Sequence, residues 1–478
     1  MNSILLVCRE EWRFWLRSRL AASAAVLMAL VLIGSSLHTL VHSEAQTARR
    51  EGLQQQAEAN FMSQPARHPH RMVHYGHYAF RAPVPLAALD PGIDPYAGMV
   101  IFLEGHRQNS ATFAEATELS SLSRFGSLSP AFVLQILAPL LLIVMGYSGI
   151  SRERERRTLI LLQSNGASST TLLAGKTLAL LAVVGLLLVP LLVAGAALVF
   201  SRDESLLALL ALVGVYAAYL TAWALAATAT SALLRGSAAS LAVLLLVWVL
   251  GVIVLPKLAA DTARSVEPVA GKIASDLALM TDETLADGHN TADPGFAALT
   301  AQLLDTYGVD NIAELPMNIR GIVSGAGEAA SAATMNAYAE ARMTSEREQA
   351  ARVDNLSFLS PLLALRRASM ALAGTDLLHY HRFLREAEAV RFSFVQSLNQ
   401  LHAEELDYAD DIKRSVDVGA EQRTRVNASN WRLLPQLQFS VAPATERVAA
   451  DVPMSAMLGA WLLAMLGLCA FASRRMRP

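Results

Sequence analysis

The sequence predicts an all-α membrane protein: six transmembrane helices carrying a large, mostly helical extracytoplasmic domain. Three observations predict it. Hydrophobic residues make up 53% of the 478-residue chain and charged residues only 17%, against about 25% charged in soluble domains. The apolar residues gather in six runs close to the ~20 residues that a spanning helix needs. Two long hydrophilic stretches, 41–128 and 257–453, are together large enough to build a packed domain of their own.

The runs assign spans at 20–40, 129–150, 177–200, 206–231, 238–256 and 454–472. Their orientation follows from the arginines and lysines, which concentrate on the cytoplasmic side. Arg9, Arg13, Arg17 and Arg19 precede the first span, and Arg152, Arg154, Arg156, Arg157 and Lys176 separate the second from the third. Arg235 lies between the fourth and fifth, and Arg474, Arg475 and Arg477 follow the sixth. With the N-terminus inside, every basic cluster is cytoplasmic, as is the tail 473–478. The inserts 41–128 and 257–453 and the turn 201–205 are then external. This is the pattern of a multi-pass membrane protein with both termini inside. The first run also has the basic flank of a cleaved leader, but it is long for one, and Glu51–Gln64 reads as helix continuing out of the membrane.

Residues 1–19 form an interfacial elbow helix: Leu5, Cys8, Trp12, Trp15 and Leu16 share one face, with Arg9, Glu10, Arg13 and Arg17 elsewhere. In the first insert, Glu44–Gln64 has helix-forming composition. The tract Ala79–Gly98 carries Pro83, Pro85, Pro91, Gly92 and Pro95 and predicts short strands and loops. The second insert is Ala-rich with helical periodicity; Ser360-Pro361 predicts a helix start with Ser as cap, and Gly374-Thr-Asp376 a stop and restart. The two cysteines, Cys8 and Cys469, sit at or near membrane segments, so no disulfide supports the external domain.

Little in the chain points to catalysis. Gly175-Lys176-Thr177 lacks the earlier glycine of a phosphate loop, since position 170 is Thr. Lys176 reads instead as a snorkelling lysine at the start of the third span. Any ATP and Mg2+ therefore belong to another subunit, and no cofactor is expected here. The carboxylates form no Ser/His/Asp or His-Glu-x-x-His arrangement, so the chain is read as non-catalytic. No basic run carries interleaved aromatics, which excludes nucleic acid as a partner. His68, His70, His74 and His77 are candidate metal ligands. However, Pro69 and Gly76 interrupt regular structure, no cysteine assists, and the spacing matches no defined site. A solvated His/Tyr loop without metal is the expectation.

Within the spans the polar residues are mild. Gln135, Tyr147, Tyr216, Tyr219, Thr221 and Thr228 either line a pathway or make helix-packing contacts. The absence of intramembrane carboxylates argues against a proton- or sodium-coupled carrier. The remaining feature is the cytoplasmic segment 151–176. Its first part, Ser151-Arg-Glu-Arg-Glu-Arg-Arg-Thr-Leu-Ile-Leu-Leu-Gln-Ser-Asn-Gly166, holds more than orientation requires. An amphipathic piece follows the charges, and Glu153 and Glu155 stand among the arginines. This predicts docking to a cytosolic partner, with contact by Arg152, Glu153, Arg154, Glu155, Arg156, Thr158, Leu159, Leu162 and Gly166.

These features resemble a permease of the ABC-2 type. In that family an interfacial helix leads into the first span, and a Glu-x-Glu-x-(x)-Thr-Leu-x-x-Leu segment docks into the ATPase before a Gly-Lys opens span three. The matching residues are Glu153, Glu155, Thr158, Leu159, Leu162, Gly175 and Lys176; the family carries Gly before the Thr, where this chain has Arg157. A narrower resemblance, to a bacterial subfamily with a large external insert of no assigned function, rests on Leu89-Asp-Pro-Gly92 and Leu103-Glu-Gly-His-Arg-Gln-Asn109. Phe125-Gly-Ser-Leu128, Leu359–Arg367 and Gly374-Thr-Asp376 also carry it. The resemblance implies a permease subunit, an exporter, coupled to a cytosolic ABC ATPase dimer. A second permease (the same chain or a paralogue), membrane lipid and a periplasmic or outer-membrane partner would complete its surroundings. The alternative is a mechanotransmission subunit whose external domain works on an envelope partner without a solute pathway. A receptor reading fails for want of any internal loop long enough to be an output module.

Overall fold

The computed structural model describes residues 3–112, 128–283, 294–434 and 441–476. Helix accounts for 78% of it, and six helical segments are long and apolar enough to cross a membrane. The protein is a multi-pass helical membrane protein.

Helix α1 (Ser3–Arg17) ends at Ser18, whose hydroxyl accepts from the Ala21 N–H and caps α2 (Arg19–Met62). At 1.5 Å per residue, the 44 residues of α2 extend about 66 Å, roughly twice the hydrocarbon thickness of a bilayer. Its polar second half therefore stands outside any membrane that its first half crosses. The short α3 (Pro69–Tyr75) and strand β1 (His77–Phe80) follow. Strand β2 (Val100–Leu103) pairs antiparallel with β1, in the register His77↔Leu103 to Phe80↔Val100. The strands flank the Pro/Gly tract; the tract itself holds a 3-10 turn, Pro85–Ala88. The second pass combines a π-helical stretch, Val133–Leu137, with α4 (Ala138–Gly146). Then come α5 (Ser151–Glu155), α6 (Thr158–Ser164), α7 (Ser169–Arg202), α8 (Leu206–Leu233) and α9 (Ser237–Trp248), which runs through a second π stretch, Val249–Val254, into α10 (Leu255–Val266). The hydrophilic domain continues with α11 (Lys272–Glu283), α12 (Pro294–Tyr307), α13 (Ile319–Asp354), α14 (Pro361–Ala373), α15 (Leu377–Glu405), α16 (Tyr408–Lys413) and α17 (Val418–Arg423). Helix α18 (Ala444–Arg475) makes the sixth pass.

Both π stretches precede a proline, and the reason is local. Pro139 and Pro256 have no N–H to donate, and their rings clash with the carbonyl four residues earlier, so the helix widens. Freed carbonyls in an apolar bundle must find other donors. Tyr219 Oη donates to Gln135 O (2.8 Å), Trp248 Nε1 to Ile136 O (3.2 Å), and Ser360 Oγ to Gly251 O (2.6 Å). The last bond corrects the expected cap. Ser360 occupies the N-cap position of α14 but makes no side-chain cap bond, because its hydroxyl is drawn to the widened turn of α9.

The hydrophilic stretches build one domain. Phe61 at the end of α2 packs with Met72 and Val73 of α3, Phe394 and Leu398 of α15, and Trp431 beyond α17. Helices α13 and α15 run antiparallel, so close that a Cβ on Gly321 would fall 2.4 Å from Ala403 N. Helix α14 is shared: Leu362, Leu365, Ala368 and Leu372 join the core of the transmembrane bundle.

A buried hub closes this domain. Asp411 accepts from His402 Nε2 (2.8 Å), His68 Nε2 (3.1 Å), Asn318 Nδ2 (3.1 Å) and Arg414 (2.7 Å). Burial alone would raise its carboxyl, but the bonds from His402 and His68 and the Arg320 charge hold it well below the ordinary carboxylate range. The His70 N–H donates to His68 Nδ1 (3.1 Å), and Arg414 lies against His68 Nε2, so the ring stands among donors in a buried site. Burial accordingly pushes His68 down from 6.5 to about 4, the neighbouring Asp411 opposing. Between those values an unfolded chain binds a proton that the folded one refuses, so stability falls as pH drops through that window. The depressed Asp411 adds to the loss below the ordinary carboxylate value. The expected decrease from pH 7 to the folded-state value is on the order of 3 kcal/mol. Thermal unfolding across that range, with His68→Asn expected to flatten the profile, checks it.

Candidate functional site

The basic end of the bundle is built from α1, α5, α6 and the α8–α9 turn. Helix α5 is tied to that turn through both of its charged neighbours. Arg154 donates to the last carbonyls of α8, Leu234 O (2.5 Å) and Ala232 O (2.8 Å). Glu155 accepts from the Ser237 N–H (2.6 Å) and hydroxyl (2.7 Å) at the start of α9. Each charge thus meets the favourable pole of a helix. Ser231 Oγ receives the N–H groups of Ile150 (3.0 Å) and Ser151 (3.1 Å).

Behind α5 lies a buried ion cluster. Lys176 Nζ sits 2.6 Å from Glu11 Oε2 and 3.2 Å from Glu153 Oε1, while Arg152 reaches Glu11 at 3.2 Å and Glu153 at 3.5 Å. The Arg152 guanidinium also lies 3.5 Å above the Phe14 ring centroid, a cation–π contact. Lys176 therefore does not snorkel: it is buried and paired. Glu11 is the residue that sequence reasoning missed. It lies one turn before Trp15, whose Nε1 donates to Met145 O (3.0 Å), so a carboxylate on the inward face of α1 was the available signal. Gly175 allows the close approach of α1 to α7, since a Cβ there would fall 2.5 Å from Val7 Cβ.

Two more links hold α6. Thr158 Oγ1 donates to Glu153 (Oε2, 2.5 Å; O, 3.1 Å), and Leu159 is fully buried, with Leu162 packed beside its cluster. Arg157 takes a left-handed backbone (φ 59°) between the two helices, where the resembled family carries Gly, the residue suited to that conformation. Of the nine residues predicted to dock, Arg152, Glu153, Arg154, Thr158, Leu159 and Leu162 face inward or build the segment. Glu155 is exposed but bonded to Ser237, and Arg156 and Gly166 (φ 89°) are open to solvent. The outward face adds Arg157, Ile160 (49% exposed) and Leu161 (61% exposed), two large apolar side chains beside two cations.

The intramembrane polar residues form a different arrangement. Gln135 Nε2 donates to Tyr216 Oη (2.9 Å), which shares a hydrogen bond with Ser369 Oγ (3.0 Å) of α14. Asp90 from the first insert accepts from Ser369 and from Gln135 (3.4 Å), and burial pushes its carboxyl up. Tyr216 and Tyr219 are fully buried, Thr228 is bonded to Thr177 (3.1 Å), and Tyr147 and Thr221 are half-buried. Within this chain, Gln135, Tyr216, Tyr219 and Thr228 make packing contacts.

Several sequence motifs meet at the neck. Thr375 Oγ1 donates to Asp90 O (3.0 Å), the Ile93 N–H to Thr375 O (3.1 Å), and Gly92 (φ 49°) lies where a Cβ would fall 2.4 Å from Thr375 Oγ1. Asp376 caps α15 through the His379 N–H (3.1 Å). Of Phe125-Gly-Ser-Leu128, residues 125–127 lie outside those described. The four clustered histidines part company: His68 enters the Asp411 hub, His77 lies 3.5 Å from Gln54 Nε2, and His70 and His74 meet His106.

Two comparisons bear on identity. A family model described as "Domain of unknown function (DUF3526)" matches residues 278–440, from within α11 to the stretch between α17 and α18. No curated protein matches the chain.

Proposed function

We propose that this chain is the permease subunit of an ATP-driven transporter of the ABC-2 type, an exporter of the bacterial inner membrane. A separate cytosolic ATPase dimer would dock at the basic end, with ATP and Mg2+ held there and both termini of this chain cytoplasmic. One observation carries the reading: α5 and α6 are anchored to α1, α7, α8 and α9 at once, yet present Arg156, Arg157, Ile160 and Leu161 outward. A loop serving orientation alone has no use for such bracing, whereas a lever that receives a push needs it. The hydrophilic domain is then periplasmic. A second permease, the same chain or a paralogue, fits the uncovered passes: only 22%, 17% and 11% of the first, fifth and sixth apolar windows are buried, against 61%, 50% and 50% for the others.

The packing of Gln135, Tyr216, Tyr219 and Thr228 favours a second reading. With those side chains engaged in helix contacts, and α2 and the α9–α10 helix running unbroken into the hydrophilic domain, the subunit would transmit ATPase motion to an envelope partner. To test the common part of both readings, the chain is purified with its native membrane neighbours. An ATPase subunit hydrolysing MgATP is expected in the complex; its absence from gently solubilised, intact chain overturns both.

A further inference from the structure

We propose that His70, His74 and His106 form a binding site for a divalent transition-metal ion, with Zn2+ the best match to three neutral imidazoles. The inference stands on the hydrophilic domain alone and does not depend on the transport reading. Helix α3 places His70 and His74 four residues apart on one face, with their Nε2 atoms 3.1 Å apart. Tetrahedral Zn2+ with Zn–N bonds of about 2.0–2.1 Å sets adjacent ligand nitrogens about 3.3 Å apart, so this pair already has the required spacing. The third imidazole comes from the turn after β2. There the Gly105 N–H donates to Val73 O (3.0 Å), and a Cβ on Gly105 would fall 1.9 Å from Val73 Cγ1, so only glycine lets the turn lie against α3. His106 follows in a left-handed conformation (φ 62°), an uncommon one for a non-glycine residue. Its ring centroid lies 5.2 Å from His74 and 5.6 Å from His70, and one nitrogen from each of the three lies within 4.8 Å of the others.

The surroundings orient the third ligand. Glu328 Oε2 lies 3.1 Å from His106 Nδ1 and accepts the His106 backbone N–H at 3.1 Å. Glu328 is itself buried and held by Arg391 (2.5 Å), which is forked onto Glu388 (2.8 and 2.7 Å). A carboxylate on one imidazole nitrogen commits the other, Nε2, to the ion, which is the usual arrangement behind a metal-bound histidine. The other histidine cluster, at Asp411, is a poor rival. Its carboxylate already receives four donors, and Arg320 (3.7 Å) and Arg414 place positive charge against any incoming cation.

The test uses the full chain in detergent, carrying a tag without histidine and stripped with EDTA, then titrated with Zn2+ against a chromophoric chelator. One equivalent is expected to bind at a Kd of about 1 µM or tighter, and Co2+ should give the intense visible absorption of a tetrahedral site. His74→Asn, at an exposed position, weakens binding by about tenfold or more and abolishes the Zn2+-induced rise in Tm, while the metal-free Tm stays unchanged. Glu328→Gln, which alters a positioning residue, weakens binding by about tenfold. The His38→Gln, His42→Gln pair, removing the stacked histidines on α2, leaves affinity unchanged. If the wild-type chain binds no equivalent, or His74→Asn binds like wild type, the site is refuted.

Discussion

Glu11→Ala lowers stability by about 3–5 kcal/mol and strips the basic end of its order. Glu11 is 3% exposed and shared by Lys176 and Arg152. Its removal leaves two buried cations competing for Glu153 alone, and breaking a buried pair from one side carries a penalty of that size. The prediction has an internal control. Glu11→Leu combined with Lys176→Met removes charge from both sides and recovers a large part of the loss, because apolar side chains of similar volume replace buried ion pairs at little cost. Denaturant or thermal unfolding of the wild type, Glu11→Leu, Lys176→Met and the double variant in one detergent gives the cycle, with Glu11→Ala measured beside them. If Glu11→Ala alone unfolds like wild type, the cluster does not brace α1 against α5 and α7.

Ile160→Glu with Leu161→Glu does the opposite: it leaves the fold intact and removes the partner. Both side chains are about half exposed or more, so neither substitution opens a cavity, and Tm is expected to stay close to wild type. Retention of the proposed ATPase subunit, by contrast, is expected to fall about tenfold or more, as for the loss of an apolar anchor at the centre of an interface. Reversing Glu153 or Glu155 would be a poorer test of docking. Lysine at 153 would face Lys176 and Arg152, and lysine at 155 would uncap α9, so either change would damage the bundle before it reached a partner.

The fold class was legible in the sequence because hydrocarbon imposes a length and a composition on each pass. Interior detail was not, because it depends on which residues meet across long separations. Lys176 reads as a snorkelling lysine until α1 brings Glu11 to it, 165 residues apart. Ser360 reads as a cap until the π stretch before Pro256 draws its hydroxyl to Gly251 O. His106 stood in a motif that marked it as distinctive, yet nothing local indicated that the turn would fold back onto α3. The 151–166 segment stood out in the sequence through its charges and amphipathic run. Its motif residues turned out to be mostly those that build the segment; on the outward face Ile160 and Leu161 fill the open positions of the motif, and Arg157 departs from it.

On the proposed function, a cytosolic ATPase works this membrane subunit through α5 and α6. A photo-crosslinking amino acid at Leu161, with a second placement at Ser345 in α13, tests it in intact cells. An adduct is expected between position 161 and an ATP-binding subunit, dependent on light, reduced by Ile160→Glu and never formed from position 345. An ATP-binding subunit crosslinked from 345, or no such subunit captured from 161 in cells that express the complete system, would contradict it.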